Sequence, residues 1–420
     1  MDFSLILPIL VTVVGVILLI RLGAFFIIHP IRTTREIMDG LKDRKTRRAF
    51  CLALAGTLGV GNIFGVSAGI MIGGPGSLFW LFISTFFAMV IKYAETLLVF
   101  DGGANKGGMA IIIRNIFSRF GKAFSILYAA LTVALALFMG SAMQSAALID
   151  SAEQTILLKP VVTLVILLIL FLPCLLGGGR KIESITEILI PLTTIIYIIG
   201  CFAVIFINFS RLDDVIFDVF SSAFSFRSAL GGGVSFLAIK EGFARGILSN
   251  EAGVGTSAMA HIRSRERSPH KAGIFAMSEV LFDSTLLCIL TGIAILVSVD
   301  NISGFSTPMS LVSEAFSSSL GGGVAMVLPF IILSFAYATI ICWYYYGMEC
   351  MTVFFPKISR IFSPAFIFFM LVSWRIRSQN LLCVIDIILL LMSILTLCAI
   401  VKKSKRIAEI SKHCQKKDPE

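Results

Sequence analysis

The sequence predicts an all-α, polytopic membrane protein in which one extra N-terminal helix precedes two five-helix repeats of opposite orientation. Its 420 residues are 57% hydrophobic and only 14% charged, and the mean hydropathy is +0.95. Soluble proteins of this length carry far more charge, so the composition indicates a chain that lies mostly in lipid. About eleven apolar segments are long enough to cross a bilayer. Two of these segments are interrupted by glycine and asparagine at membrane depth.

The predicted spans cover about residues 5–28, 51–73, 76–100, 123–149, 160–177, 185–209, 229–260, 272–299, 323–352, 362–374 and 380–401. Cytoplasmic loops of membrane proteins are rich in lysine and arginine. The segments 30–50, 262–272 and 402–406 are strongly basic, whereas 300–320 contains no lysine or arginine. We therefore expect a cell-membrane protein (plasma or inner membrane) with the N-terminus outside and the C-terminus in the cytoplasm. The first apolar run is long and ends in a basic loop, which favours a retained span over a cleaved signal.

Cysteine, histidine and net charge argue against several other classes of function. The nine cysteines lie mostly inside apolar runs without metal-ligand spacing, so we expect them to pack as small hydrophobic side chains. The four histidines, His29, His261, His270 and His413, fall in predicted loops or in the tail, away from any apolar centre. The net charge of +10 is concentrated on one side of the membrane. We therefore expect no enzymatic activity, no organic cofactor, no nucleic acid partner and no metal beyond sodium, while the oligomeric state is not indicated.

The helix of the second predicted span is interrupted at membrane depth. Its centre reads Gly56-Thr57-Leu58-Gly59-Val60-Gly61-Asn62. Glycine in a helix interior costs about 1 kcal/mol relative to alanine. Loosened backbone at membrane depth is tolerated only where protein buries it or where it lines a cavity. This segment is therefore the first candidate for a binding site.

Close helix packing is the alternative explanation for part of this pattern. Four glycines recur every fourth residue and form a ridge of small residues, which favours close contact between helices; they are Gly61, Gly65, Gly69 and Gly73. The ridge does not account for Gly56, Gly59 or Asn62. It also does not account for a second interruption of the same kind.

The second interruption lies in the seventh predicted span, at Ser249-Asn250-Glu251-Ala252-Gly253-Val254-Gly255. A carboxylate at membrane depth costs about 2.5–3.5 kcal/mol, so Glu251 should face a partner or a polar cavity. Five spans separate the two interruptions, so the two helices run in opposite directions. That arrangement is expected of an inverted five-plus-five repeat with discontinuous helices near the midplane. The predicted organisation is then 1–50 for the extra helix and basic loop, 51–210 and 211–401 for the repeats, and 402–420 for a basic tail.

Helix breaks of this kind offer both halves of a site for an ion and a zwitterion. Where a helix stops, its last carbonyl groups carry partial negative charge, and where the next begins, free N–H groups carry partial positive charge. The carbonyl oxygens suit a cation, and the N–H groups suit a carboxylate. An amino acid that is transported together with a cation would use both kinds of group.

Specific motifs carry a resemblance to a known family. They are GTLGVGNIFGVSAGIMIGGPGSLFW from residue 56, KYAE at 92–95, MQSAALI at 143–149, GGGRKIESITEILIPL at 177–192, RGILSNEAGVGTS at 245–257 and AYATIICWYYYGME at 336–349. In these motifs the chain resembles the alanine or glycine:cation (sodium:alanine) symporter family, over about residues 10–350. The resemblance implies a leucine-transporter-type fold and uptake of amino acids coupled to sodium.

The resemblance also implies residue roles. Substrate binding would involve Thr57, Gly59, Gly61, Asn62, Gln144, Leu248, Asn250, Gly253, Gly255, Thr339 and Trp343. A cation would be held by Gly56, Thr57 and Thr339, and the coupling or structural carboxylates would be Glu251 and Asp283. A single glutamine or threonine in a span more often bonds a neighbouring backbone group, and a tryptophan is more often core. Only the combination of these residues favours a binding site.

Three positions depart from the family pattern. Val60 and Ala338 stand where the family commonly has hydroxyl residues, so two oxygen ligands are missing from the implied sodium site. A hard cation is usually coordinated by about five or six oxygen atoms. Water or another group must then supply the two missing ligands. Leu248 replaces an aromatic residue beside the second break and could enlarge the side-chain pocket.

Other charged residues in the spans have structural explanations. Lys92 and Glu95 lie three apart on one helix and are expected to pair. Glu279 and Asp283 are expected to pair with Arg245 or Lys240, with proton transfer by one of them as the alternative.

The sequence therefore predicts secondary active uptake of a small neutral amino acid, alanine or glycine and including D-alanine, with sodium as the favoured coupling ion. Proton coupling through Glu251 or Asp283 is the first alternative. An amino-acid sensor without transport is the second. A membrane enzyme is disfavoured because the spans contain no nucleophile–base pair at membrane depth.

Overall fold

A computed structural model describes residues 5–23, 25–224, 234–325, 327–375 and 378–417, and within these ranges the chain is helical without any strand. The helices are α1 (Ile6–Leu22), α2 (Phe25–Ile28), α3 (Pro30–Lys42), α4 (Arg44–Thr57), α5 (Val60–Gly73), α6 (Gly76–Asp101), α7 (Gly108–Ile116), α8 (Gly121–Leu135), α9 (Gln144–Ile156), α10 (Pro160–Ile207), α11 (Leu212–Ala223), α12 (Val234–Asn250), α13 (Ala258–His261), α14 (Pro269–Val280), α15 (Ile289–Ser298), α16 (Pro308–Leu320), α17 (Gly322–Ala325), α18 (Leu328–Phe354), α19 (Phe362–Val372) and α20 (Ser378–Lys417). Two π-helical segments, Ala136–Met143 and Leu281–Cys288, join α8 to α9 and α14 to α15.

Six helical runs within the described ranges are long and apolar enough to cross a membrane, and the bent pair α4–α5 makes a seventh. The predicted spans 160–177 and 185–209 both lie in α10, which is bent at Gly178 (φ 57°, ψ −156°). The seventh predicted span begins among residues 225–233, outside the described ranges, and the tenth corresponds to the 11-residue α19. The all-helical class is confirmed, whereas the number eleven stays a prediction.

The basic segments that the sequence places on one side of the membrane lie together at one end of the molecule. Contacts join the α3–α4 connection to the loop before α14, and join both α3 and the end of α6 to α20. These contacts are Asp43–Arg265 at 3.8 Å, Arg32–Gln415 at 3.2 Å and Asp101–Arg406 at 2.9 Å. At this end Asp43 also caps α4, and the Thr46 backbone N–H holds the pKa of Asp43 below its usual value. The orientation of this end relative to the membrane stays a prediction.

The glycine ridge on α5 is partly a packing surface. A Cβ atom at Gly73 would lie 3.0 Å from the Leu237 carbonyl oxygen of α12, and one at Gly69 would lie 3.3 Å from Arg245 Cγ. At Gly61 such an atom would meet nothing within 4 Å. Helix packing therefore explains the outer part of the ridge, whereas Gly61 borders open space.

Candidate functional site

The first break is narrower than the sequence predicts. α4 continues through Thr57, α5 starts at Val60, and only Leu58 (ψ 67°) and Gly59 (φ −105°, ψ −168°) leave helical geometry. The two half-helices are bent by 40°. Gly56 and Asn62, expected inside the loosened backbone, instead lie in the last turn of α4 and the first turn of α5.

Three side chains assigned through the resemblance contact the backbone of this break. Gln144 Oε1 accepts a hydrogen bond from the Val60 N–H at 3.3 Å, so it satisfies an N–H that α5 leaves free. Trp343 Nε1 donates to the Gly56 carbonyl oxygen at 3.3 Å. The Thr339 hydroxyl lies 3.4 Å from the Leu58 carbonyl oxygen and 3.0 Å from that of Phe335. The structure thus brings α9 and α18 to the break at the expected positions.

A small cavity borders the first break. Its volume is about 10 Å³, and it is lined by Val60, Gly61, Phe64, Met143, Gln144 and Ala147. A cavity of about 10–15 Å³ holds one water molecule. An amino acid could enter here only if neighbouring helices move apart, which is what an alternating-access mechanism requires.

The second break has a left-handed backbone. α12 ends at Asn250, and positive φ angles follow at Glu251 (54°), Gly253 (92°) and Gly255 (83°). Glu251 is a non-glycine residue in this region, a conformation that costs about 1–3 kcal/mol and clusters at functional sites. The Asn250 side chain caps its own helix, since Nδ2 donates to the Gly246 carbonyl at 2.6 Å and Oδ1 accepts from the Ala252 N–H at 2.9 Å.

The glycines of the second break face away from the first break. A Cβ atom at Gly253 would lie 3.5 Å from Leu397 of α20, and one at Gly255 would lie 3.0 Å from Met109 of α7. Glu95 Oε1 accepts the Gly253 N–H at 2.6 Å. Leu248 is half-buried and packs against the core. The substrate roles of Leu248, Asn250, Gly253 and Gly255 stay predictions.

Asp283 joins the two breaks. Asn62, in the first turn of α5, donates through Nδ2 to Asp283 Oδ1. Ser249, in the last turn of α12, lies with its hydroxyl oxygen 2.9 Å from Asp283 Oδ2 and 3.1 Å from Asn62 Oδ1. Ser284 donates to Asp283 Oδ2 at 3.0 Å. The expected pairing of Asp283 with Arg245 is wrong, because Arg245 pairs with Glu241 at 2.9 Å on its own helix.

Lys92 belongs to a second buried network. The expected Lys92–Glu95 pair is not formed: Lys92 Nζ lies 3.7 Å from Glu279 Oε2 and donates to Ser257 at 3.1 Å. Glu279 also bonds His261, and not Arg245 or Lys240 as expected. Glu251 accepts from Thr256 at 3.1 Å.

His261 is the functional-region residue that sequence reasoning missed. It was expected in a loop away from any apolar centre, yet it is only 2% exposed. His261 ends α13, whereas Glu279 lies near the end of α14, after the basic loop 262–268. No spacing in the sequence pointed to this pair.

The local helix geometry also marks this region. π-helical segments are rare and occur frequently at functional sites. One immediately precedes Gln144, and the other contains Asp283. No feature of the sequence distinguished these turns from ordinary helix.

The family model for the sodium:alanine symporter family matches residues 1–420. The chain belongs to this family. A relative described as an uncharacterized transporter of Haemophilus influenzae is 31% identical over 81% of this chain and 78% of its own length. The sodium/alanine symporter AgcS of Methanococcus maripaludis is 28% identical over 80% and 78%. The probable sodium/glutamine symporter GlnT of Bacillus subtilis is 28% identical over 79% and 73%.

Solved transporters share the fold of this sodium:alanine symporter family member. A manganese transporter of Eremococcus coleocola superposes with a TM-score of 0.56 at 16% identity, over 84% of this chain and 75% of the other. A nucleobase-cation-symport-1 family transporter with bromovinylhydantoin bound gives a TM-score of 0.53 at 12% identity, over 80% and 74%. Family and fold together describe a multi-pass cell-membrane transporter.

At the basic end of this family member, one carboxylate holds the first half-helix. Glu187 of α10 lies 3.4 Å from Arg44, 3.1 Å from Arg47 and 2.6 Å from Arg48, all on α4. Glu183, one turn earlier, pairs with Arg263. These contacts tie the outer ends of α4 and of the chain after α13 to α10 at this end of the molecule.

Replacing Glu187 with glutamine is expected to loosen the outer end of α4, because three arginines then lack their shared partner. Partly exposed pairs contribute about 1 kcal/mol, so access should increase by about fivefold. Cys51, buried below Arg47 and Arg48, reports the opening in a variant that keeps only this cysteine. Its alkylation by a membrane-impermeant maleimide should become faster. Asp300→Asn, which breaks the Arg211 pair at the opposite end, is the matched control. Equal rates in the wild type and Glu187→Gln would contradict a closing role.

Proposed function

We propose that this protein takes up a small neutral amino acid, alanine or glycine and including D-alanine, by symport with sodium. The observation that carries the proposal is the junction at Asp283, where side chains from both helix breaks meet in a member of the sodium:alanine symporter family. Discontinuous helices that meet at the midplane form the substrate and ion sites of many secondary transporters.

The proposed architecture follows the predicted inverted repeat. α1 is the extra helix within residues 1–50, residues 51–210 (from within α4 to the end of α10) form the first repeat, and residues 211–401 (from α11 into α20) form the second. The N-terminus lies outside, and the basic end faces the cytoplasm. Transport proceeds by alternating access, in which the contacts of Glu187 break when the site opens inward.

The substrate would bind at the first break. Gly59 and Gly61 let its backbone approach, and Val60 offers an N–H that Gln144 now accepts. A substrate carboxylate would replace the amide oxygen of Gln144 at this N–H, which a helix N-terminus favours for anions. Gly56, Thr57 and Thr339 form the predicted cation site, where the carbonyl of Gly56 now accepts from Trp343.

Counterflow of labelled alanine and glycine into liposomes that contain the purified protein tests the proposal. Sodium, lithium and pH gradients are imposed separately, with choline as the replacement cation. We expect an inward sodium gradient to drive accumulation that survives a protonophore. Binding of alanine without any gradient-driven accumulation would contradict transport and favour a sensor.

Proton coupling is the second candidate because Asp283 and Glu251 are buried carboxyl groups whose described hydrogen-bond partners are neutral. In that case uptake would persist in choline and collapse with the protonophore. The same liposomes therefore separate the two ions.

A further inference from the structure

We propose that a groove between α4 and α10 binds an anionic phospholipid from the leaflet at the basic end of the molecule. The inference goes beyond the proposed function, since this lipid is neither the substrate nor the coupling ion. The groove has a volume of about 280 Å³, and its third wall is the π-helical segment Leu281–Cys288. One acyl chain would lie in the groove, with the phosphate group at the arginines of its outer end.

The two long walls of the groove are mostly apolar stripes of single helices. Residues four positions apart lie on one face of a helix. The stripes contain Phe50, Leu54 and Leu58 of α4 and Ile190, Thr194 and Ile198 of α10. Leu58 is 1% exposed, whereas Ile195, which also lines the groove, is 56% exposed. The groove is therefore closed along α4 and open along α10, where the bilayer surrounds the protein.

The length of the groove matches the depth of one leaflet. On α4, eleven residues separate Arg47 from Leu58, which is about 16 Å along the helix axis. On α10, eleven residues also separate Glu187, the partner of Arg47, from Ile198. The hydrocarbon core of a bilayer is about 30 Å thick, so each leaflet contributes about 15 Å. An acyl chain that begins beside Arg47 would therefore end beside Leu58.

The outer end of the groove carries positive charge. Arg47 is the charged residue among the described side chains that line it. Arg44, Arg47 and Arg48 all pair with the carboxylate of Glu187, and within the described ion pairs they have no second carboxylate. Their positive charge therefore exceeds the negative charge beside them. Basic clusters next to a span bind anionic headgroups, and the guanidinium group suits the phosphate oxygens.

The headgroup must supply the preference for this lipid. Lipid tails are as apolar as the groove, so an acyl chain gains little by leaving the bilayer. A neutral phospholipid with the same chains should therefore bind less tightly. The bound chain would contact Leu58 at the first break and also Phe282 and Leu286, which flank Asp283. The lipid would thus pack against the helices of the candidate site without entering it.

Native mass spectrometry of the detergent-purified protein tests the site apart from transport. The protein is titrated with phosphatidylglycerol or with phosphatidylcholine of the same acyl chains, and phosphatidylglycerol should bind more tightly. Arg47→Gln should weaken phosphatidylglycerol binding by about fivefold. Ile198→Trp, which fills the groove, should weaken it without changing any charge. Glu187→Gln should strengthen it, because the carboxylate no longer competes for the three arginines.

Cys51 lines the same groove and shows where the lipid binds. In a variant that keeps only this cysteine, phosphatidylglycerol should slow the alkylation of Cys51 by N-ethylmaleimide. Phosphatidylcholine at the same concentration should slow it less. An alkylation rate that phosphatidylglycerol does not change would place the lipid outside the groove and overturn the proposal.

The matched controls are Arg406→Gln and Ile188→Trp. Arg406 pairs with Asp101 at the same end of the molecule, and Ile188 is 69% exposed on α10; neither residue lines the groove. Both variants should bind phosphatidylglycerol like the wild type. If Ile198→Trp is not recovered folded, Arg47→Gln and the protection of Cys51 carry the comparison. Equal binding of the two lipids, or unchanged binding in Arg47→Gln, would show that lipid only surrounds the protein.

Discussion

Replacing Lys92 with methionine is expected to lower the free energy of unfolding by about 3–5 kcal/mol, since breaking a buried ion pair leaves uncompensated charge in the core. Lys92 is 0% exposed, lies 3.7 Å from Glu279 and donates to Ser257 at 3.1 Å. Methionine matches the length of the lysine stem, so lost charge and not lost volume is tested. Thermal denaturation of the detergent-purified protein should show a much lower melting temperature.

Two further variants show whether charge is the cause. Lys92→Met/Glu279→Gln removes both members of the pair and should recover part of the loss, since replacing a whole buried pair costs far less than breaking it. Lys42→Met breaks the exposed pair with Asp39, whose atoms lie 2.7 Å apart, and should change stability little. If the melting temperature of Lys92→Met equals that of the wild type, the buried network does not stabilise the folded protein.

Replacing Gly59 with alanine is expected to reduce uptake by about a hundredfold or more, because there is no room for its methyl group at the first break. The added Cβ atom would lie 2.9 Å from Thr339 Oγ1 and 3.1 Å from Gln144 Oε1. The φ angle of Gly59, −105°, suits alanine, so the effect comes from crowding and not from backbone strain. Pushing α9 or α18 away by a few tenths of an ångström would misplace groups that must be held closely. Liposome uptake, normalised to folded protein, is the measurement.

Gly65→Ala is the matched control for this prediction. It lies on the same half-helix, and its added Cβ atom would meet only Arg245 Cδ at 3.9 Å, an ordinary contact. Uptake should stay close to the wild-type rate. Gly59→Ala with normal uptake would show that the contacts of Thr339 and Gln144 with this break are not needed for transport.

The two helix breaks were predictable from sequence because their cause is local. Glycine weakens a helix wherever it occurs, and at membrane depth that cost persists only where protein or a cavity surrounds the backbone. The structure confirms an interruption at Leu58–Gly59 and another after Asn250. The width of the first break was less predictable, because packing of α18 and α9 restores helical geometry up to Thr57 and from Val60.

The charged partners were not predictable in the same way. Lys92 and Glu95 share a helix, which favoured a pair between them, yet the Lys92 ammonium group reaches Glu279 of α14 and Glu95 reaches the backbone of Gly253. In low-dielectric surroundings each charge takes the partner that best offsets its desolvation, and that partner depends on which helices touch. Spacing along one helix could not reveal it.

The sequence by itself determined that this chain lies in a membrane, where two of its helices break, and which family it resembles. These properties follow from composition, local helix propensity and motif order, all of which are written along the chain. Only the tertiary structure decided that Asp283 joins the breaks and that His261 is buried against Glu279. The physical reason is that such contacts join residues 18 to 221 positions apart, and helix packing alone sets which of them meet.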